Sequence, residues 1–248
     1  MTRIVILAAG KGTRMNSELP KVLVPLKGKP MIKYLMDEVK MSRVDPRPII
    51  VVSPDNQDII KTALNGYEAE YVVQSEQLGT GHAVACARSA FDNDDRKVVS
   101  IIVLYGDHPF LKSESIKKFS AVESEVLTVM PTLLPDFAGW HQNFYHWGRF
   151  VKGLDGKVQR IVEFKDASEE EKLITEVNPG FMRFNKEWLF KNIDNLANNN
   201  NSKEYYLTDM VKVAFSAGEN VGTINIEPHE AMGINSLEEL KIAESLLQ

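Results

Sequence analysis

The sequence predicts an α/β fold, with a mainly parallel central sheet covered by helices and a smaller antiparallel region in its second half. Three observations carry this. Short runs of consecutive apolar residues, IVILAA (4–9), IIVVS (49–53) and VVSIIVLYGD (98–107), read as strands buried on both faces. Amphipathic stretches at helical spacing separate them, the alternation that pairs strands in parallel. Beyond about residue 120 this gives way to short strands and tight turns.

Taken in order, PMIKYLMDEVKM (30–41) sets Ile32, Leu35, Met36 and Val39 on one helical face, with Pro30 expected at the first helical position. Asp55 is expected to cap a short helix reaching about Leu64. EYVV (70–73) is the next strand, and a helix is predicted from Thr80 to about Phe91, with Thr80 as its N-cap. In the second half EVLTVMPT (125–132), RFVKG and KVQRIVEF (149–164) and VNPGFMRF (177–184) read as strands. Helices follow at 185–192, 208–217 and 236–247. Ser236 and Glu239 have the spacing of a capping box, which leaves Asn235 just outside the last helix. The run Asn198–Asn201 reads as a solvated loop. No internal repeat or linker divides the chain, so residues 1–248 read as one domain.

Composition narrows the function classes. Hydrophobic residues make up 44% and charged residues 25%, as in ordinary globular proteins, and the formal net charge of −5 argues against nucleic acid as a partner. The single cysteine, Cys86, excludes an internal disulfide, suits a reducing compartment and reads as a small core residue. No apolar run approaches the roughly 18 residues that span a bilayer, and IVILAA is too short for a signal peptide. The expectation is a soluble, cytoplasmic protein with no membrane partner.

Against the acidic background, residues 10–29 hold Lys11, Arg14, Lys21, Lys27 and Lys29 with Glu18 as the lone carboxylate. A buried strand running into Gly10, Gly12 and these cations is built for an anion: glycines admit backbone N–H groups to phosphate oxygens, and the cations supply charge. Gly10-Lys11-Gly12-Thr13 is neither a Walker A loop nor a dinucleotide fingerprint, since Met15 stands where a third glycine is needed and Pro20 interrupts the helix. Lys27 and Lys29 read as surface residues.

The longer string LAAGKGTRMNSELPKVL (7–23) resembles the signature of the sugar-1-phosphate nucleotidyltransferases. The resemblance continues through QSEQLGTGHAV (74–84), YGDHP (105–109), WGRF (147–150), IVEFKDAS (161–168), EVNPG (176–180), EYYLTD (204–209) and GINS (233–236), in the family's order across nearly the whole chain. It is strongest to the uridyltransferase domains of bifunctional N-acetylglucosamine-1-phosphate uridyltransferase/acetyltransferases. It implies a Rossmann-like three-layer fold with a nucleotide-binding half (about 1–110) and a sugar-phosphate-binding half (about 111–248). The implied reaction transfers uridylyl from UTP to N-acetylglucosamine 1-phosphate with Mg²⁺, releasing pyrophosphate. Other sugar 1-phosphates, thymidylyl transfer, or a silent nucleotide-sugar-binding relative stand as alternatives. The acetyltransferase domain, a left-handed β-helix of hexapeptide repeats that also trimerises the bifunctional members, has no counterpart in these 248 residues. If these 248 residues are the whole protein, acetyl transfer and family-type trimerisation are not expected.

Residue by residue, the resemblance puts Leu7, Ala8, Ala9 and Gly10 against the uracil and ribose. Gly12 and Thr13 fall in the phosphate turn, and Arg14 and Lys21 on the triphosphate as catalytic cations. A guanidinium fork grips two oxygens and an ammonium supplies a mobile point charge. Gln74 has the donors and acceptor to pair with the uracil edge, beside Gly79 and Thr80, and Tyr105 and Gly106 lie on the same side. Asp107 follows the long apolar strand, and a carboxylate facing a triphosphate needs a cation between them, which is the case for Mg²⁺ with Asn235 as second ligand. Gly148, Glu163 and Asn178 are implied for the sugar, with Tyr206 and Thr208 bordering its acetamide or phosphate. Lys165 either contacts phosphate or pairs with Asp166. Three positions depart from the family pattern: His108 replaces an apolar residue, Pro179 a Thr, and Ser236 an Asn.

Overall fold

The computed structural model describes residues 1–10, 12, 15, 17–92, 94, 96–123 and 125–247. The first half of the chain runs β1 (Thr2–Leu7), β2 (Pro25–Leu26), β3 (Lys29–Pro30), α1 (Met31–Ser42), β4 (Ile49–Val52), α2 (Gln57–Ala63), β5 (Glu70–Val73), α3 (Thr80–Cys86), α4 (Arg88–Asp92), β6 (Ser100–Tyr105) and α5 (Ser113–Ser120). The second half follows with β7 (Leu127–Val129), β8 (Thr132–Leu133), β9 (Gly148–Lys152), β10 (Val158–Val162), α6 (Glu169–Lys172), β11 (Glu176–Asn178), β12 (Met182–Asn185), α7 (Lys186–Asn192), α8 (Asp209–Ser216), β13 (Val221–Thr223), α9 (Pro228–Ala231) and α10 (Leu237–Leu246).

Seven strands form the central sheet in the order β13-β7-β12-β6-β1-β4-β5. All its pairings are parallel except those of β12, which lies antiparallel between β6 and β7. A second sheet, β10-β9-β11-β8, is antiparallel throughout. The expected mainly parallel sheet with a smaller antiparallel region is therefore present. Period-2 alternation explains the three layers: Ile4, Ile6, Ile50, Val52, Ile102 and Leu104 face one core, with α1 and α5. Their neighbours Val5, Ile49, Val51, Ile101 and Val103 face the other, with α3, α7 and α8. Continuous apolar runs are what such a two-sided strand requires.

Several local expectations are corrected. Pro30 is the N-cap of α1 rather than its first helical residue. Asn56, not Asp55, precedes α2, and its side chain serves the loop instead, accepting from Ser53 N–H (2.8 Å) and donating to the Ala8 carbonyl (3.0 Å). The single helix predicted from Thr80 to Phe91 is broken at Ala87 into α3 and α4. VNPGFMRF is not one strand: β11 belongs to the small sheet and β12 to the large one, with Pro179-Gly180 carrying the chain across.

At the end of the sheet remote from the β1 C-terminus, Arg3 is fully buried and each of its three guanidinium nitrogens has a partner. It pairs with Asp45 (2.9 Å) and Asp94, reaches Glu70 (3.3 Å) and donates to the Arg47 carbonyl (2.9 Å). A buried cation that loses its partner keeps its desolvation cost. Asp45→Ala is expected to destabilise the fold by about 3–5 kcal/mol in chemical denaturation. The pH dependence has a fixed sign. Hydrogen bonds from Arg96, then Arg3, outweigh burial and hold the Asp94 carboxyl well below the usual carboxylate range. A depressed native pKa adds stability above the unfolded value of about 4 and loses it as pH falls. Asp94→Asn is therefore expected to lose less stability than the wild type between about pH 6 and 3.

Candidate active site

Two adjoining clefts open at the C-terminal ends of β1 and β6, where open α/β sheets place their ligands. The first, of about 320 Å³, is lined by Leu7, Ala8, Ala9 and Gly10 from the end of β1, with Gln74, Gln77, Gly79 and Ala83 opposite. The second, of about 380 Å³, is lined by Gly148, Glu163, Asn178, Tyr206, Thr208 and Asn235. Lys21, Thr80, Tyr105, Asp107 and Glu204 line both and form the wall between them.

The centre of that wall is one ammonium between two oxygen acceptors. Lys21 Nζ forms an ion pair with Asp107 and donates to Asn235 Oδ1 at 2.7 Å. Asp107 is buried, and desolvation by itself would raise its pKa. The Lys21 charge and the His108 Nδ1 contact (3.3 Å) outweigh that and hold the carboxyl well below the usual range. Asn235 is brought there by backbone: Ile234 N–H donates to the Asp107 carbonyl at 3.0 Å. The expected capping box is split. Ser236 Oγ accepts from Glu239 N–H (3.2 Å), whereas the Glu239 carboxylate bonds the Asn235 N–H rather than that of Ser236. The departure at His108 is accommodated by Gly233, where a Cβ would come within 2.6 Å of His108 Nε2.

The glycines are explained by close approach. At Gly12, with φ +62°, a Cβ would collide with Lys21 Cβ, so the missing side chain lets the lysine lie against the turn. At Gly79, with φ +106°, a Cβ would meet Glu204 Cβ and the Tyr205 backbone at 2.7–2.9 Å. The segment 204–208 crosses there onto α3: Tyr205 N–H bonds the Leu78 carbonyl (2.8 Å), and Gly81 N–H bonds the Tyr205 carbonyl (2.8 Å). Thr80 is not the N-cap; Gly79 takes that place, and Thr80 Oγ1 accepts from Leu207 N–H at 3.0 Å.

Gln74 is buried, and its Nε2 lies 3.1 Å from both the Gly79 carbonyl and His82 Nδ1. Of its two amide groups, the carbonyl is the one left for a ligand. Gly106 N–H bonds the Leu7 carbonyl (3.0 Å), which joins β1 and β6 at the cleft floor. In the second cleft Thr208 Oγ1 donates to Glu163 Oε1 at 2.9 Å. Burial pushes the Glu163 carboxyl up, reinforced by Asp209, Asp166 and Glu204 and partly opposed by Thr208. Asn178 Oδ1 accepts from Gly180 N–H at 3.0 Å across Pro179, so its Nδ2 is the group that remains. Lys165 reaches Ser202 Oγ (3.3 Å), not Asp166. Lys11, Thr13 and Arg14 lie outside the described residues.

Sequence reasoning missed several lining residues. Gln77, whose Nε2 donates to the Ala9 carbonyl at 2.6 Å, and Glu204 both sit inside strings already singled out. Asn143 and His146 reach the second cleft from an aromatic segment outside those strings, and Trp147 from the first position of WGRF. Buried Arg149 anchors that segment through the carbonyls of Trp147 and Tyr145 (2.6 Å) and lies 4.7 Å from the Phe137 ring centroid.

Residues 4–148, more than half of the chain, match the MobA-like NTP transferase domain. The chain belongs to that family. It is 40% identical over 245 residues to the bifunctional protein GlmU of Caldicellulosiruptor saccharolyticus, covering 98% of this chain and 51% of that protein. It is 39% identical to the GlmU of Alcanivorax borkumensis, covering 99% of this chain and 52% of that one. The chain thus spans about half the length of these relatives. The fold superposes on the inositol-1-phosphate CTP transferase from T. maritima with a TM-score of 0.76 at 18% identity, covering 99% of this chain and 94% of that one. That likeness shows a shared nucleotidyltransferase fold. Gly79→Ala is expected to lower Tm by roughly 4–8 °C in a thermal melt, because a strained backbone and a blocked crossing cost about 2 kcal/mol.

Proposed function

We propose that this chain joins UTP to N-acetylglucosamine 1-phosphate, releasing pyrophosphate and forming UDP-N-acetylglucosamine. The observation that carries the reading is the shared wall: two clefts meet at Lys21, with Asp107 and Asn235 on the same ammonium. A nucleoside triphosphate in the first cleft and a sugar phosphate in the second would bring their phosphates together there. The likeness to GlmU over nearly the whole chain supports the same choice of substrates.

The chemistry asks little acid–base work of the protein. A phosphate monoester has a second pKa of about 6, so its oxygen is an anion at neutral pH. That oxygen attacks the α-phosphorus in line; the new P–O bond forms as the bond to the β-phosphate oxygen breaks, and the electron pair leaves with pyrophosphate. Lys21 holds the α-phosphate against the incoming anion, with Arg14 and the turn around Gly12 and Thr13 on the triphosphate. Residues Leu7–Gly10 meet the base and ribose, and Gln74 Oε1 accepts from the uracil ring N–H. Glu163, preset by Thr208, accepts sugar hydroxyls; Asn178 Nδ2 donates, and Gly148 keeps the backbone close.

Asp107 and Asn235 fit Mg²⁺, because both put a hard oxygen on a point already occupied by a cationic group. When bound there, the metal supplies charge neutralisation at the phosphates. Mg²⁺ takes one or two protein oxygens and fills its other positions with waters and phosphates. No helix among the described residues is long and apolar enough to cross a membrane; the reaction, between two water-soluble substrates, belongs to the cytoplasm on this reading.

Pyrophosphate release should be measured with Mg²⁺ and UTP across N-acetylglucosamine, N-acetylgalactosamine, glucose and glucosamine 1-phosphates. The expected result is turnover chiefly with the first. Lys21→Met should lose about 10- to 100-fold, the worth of one charged hydrogen bond, and Asp107→Ala more. Preference for glucose 1-phosphate overturns the choice of sugar. UTP binding without release for any acceptor overturns the transfer reaction.

A further inference from the structure

In the segment 200–208 the backbone of Glu204 is fixed while its carboxylate is left uncommitted. Asn200 clamps Glu204 at both backbone ends: its Nδ2 donates to the Glu204 carbonyl at 2.6 Å, and Glu204 N–H donates to Asn200 Oδ1 at 3.1 Å. Tyr205 and Leu207 are pinned to Leu78 and Thr80, and Gly79 makes room for Glu204 Cβ. The Glu204 carboxylate makes no hydrogen bond or ion pair with any described residue, and it lines both clefts. A rigid backbone holding a free, half-buried carboxylate over a cleft is a prepared acceptor.

Its electrical setting limits what it accepts. Glu204 shares the wall with Asp107 and raises the pKa of Glu163, so its surroundings are already negative. Phosphates would be repelled, and the Lys21 ammonium is held by Asp107 and Asn235. What remains is a neutral donor, and hydroxyl pairs are the groups that a carboxylate with two oxygens suits. Two sources flank it: the nucleoside ribose in the first cleft and the acceptor ring in the second. We infer that Glu204 is a specificity-determining residue that reads substrate hydroxyls where the two clefts meet; this rests on the nucleotidyl-transfer reading above.

The test compares wild type, Glu204→Ala and Glu204→Gln with UTP, 2′-deoxy-UTP and 3′-deoxy-UTP, and with acceptor sugar phosphates lacking single ring hydroxyls. Both kcat/KM and calorimetric Kd are measured, so that a chain that binds without turnover still reports on Glu204 while overturning transfer. Wild type is expected to disfavour one analogue by roughly 10- to 100-fold. Glu204→Ala should shrink that gap to within about threefold with an unchanged melt, and Glu204→Gln, which keeps one acceptor oxygen, should fall between. A gap confined to the deoxynucleotides assigns the ribose; one confined to the acceptors assigns the sugar. Wild-type selectivity retained in Glu204→Ala, or no selectivity in the wild type, overturns the inference.

Discussion

The Lys21 ammonium is the contact on which the rest of the site depends. It joins three parts of the chain, with Lys21 and Asn235 separated by 214 positions and Asp107 between them. A buried carboxylate is stable only with charge and hydrogen bonds to compensate its lost hydration. Asp107 obtains these from Lys21 and His108, and its own carbonyl holds Ile234. Removing the ammonium would leave a buried anion beside a neutral amide, so folding the site and charging it are one event.

Around this contact the architecture brings together chain ends that the topology would otherwise keep apart. β1 and β6 pair in parallel from Thr2–Ser100 to Leu7–Tyr105, so their C-termini reach the same edge with Leu7–Gly10 beside Asp107. From the second half of the chain, two connections cross to that edge. One is Asn178–Gly180, passing from the small sheet to the large one; the other is Glu204–Thr208, lying over α3. Each crossing needs a glycine: Gly180, at φ +96°, faces the Tyr105 ring, and Gly79 faces Tyr205. These residues serve packing before they serve any ligand.

The second cleft depends on a different balance. Arg149 is fully buried without a carboxylate partner among the described residues; backbone carbonyls and the ring of Phe137 compensate its charge, and burial pushes its pKa down. The arrangement fixes the segment that ends at Trp147, and with it one wall of the second cleft. Electrostatics are thus apportioned across the molecule: a lysine-centred wall between the clefts, and a buried carboxylate, Glu163, in the second of them.

The sequence alone determined the class of fold, because a strand buried on both faces must be continuously apolar, and IVILAA, IIVVS and VVSIIVLYGD have no other stable use. It also determined the local charge of residues 10–29, five cations against one carboxylate in an acidic chain. Only tertiary structure decided that β12 enters the large sheet antiparallel while β11 stays in the small one. The choice turns on partners far away, and VNPGFMRF reads alike for both. It likewise decided that Asn143 and His146 reach a cleft, that Gln74 spends its amide N–H groups on its own loop, and that Glu204 stands free between two pockets. Residue type and spacing fix what a side chain can do. What it is left free to do depends on which neighbours the folded chain has already given it.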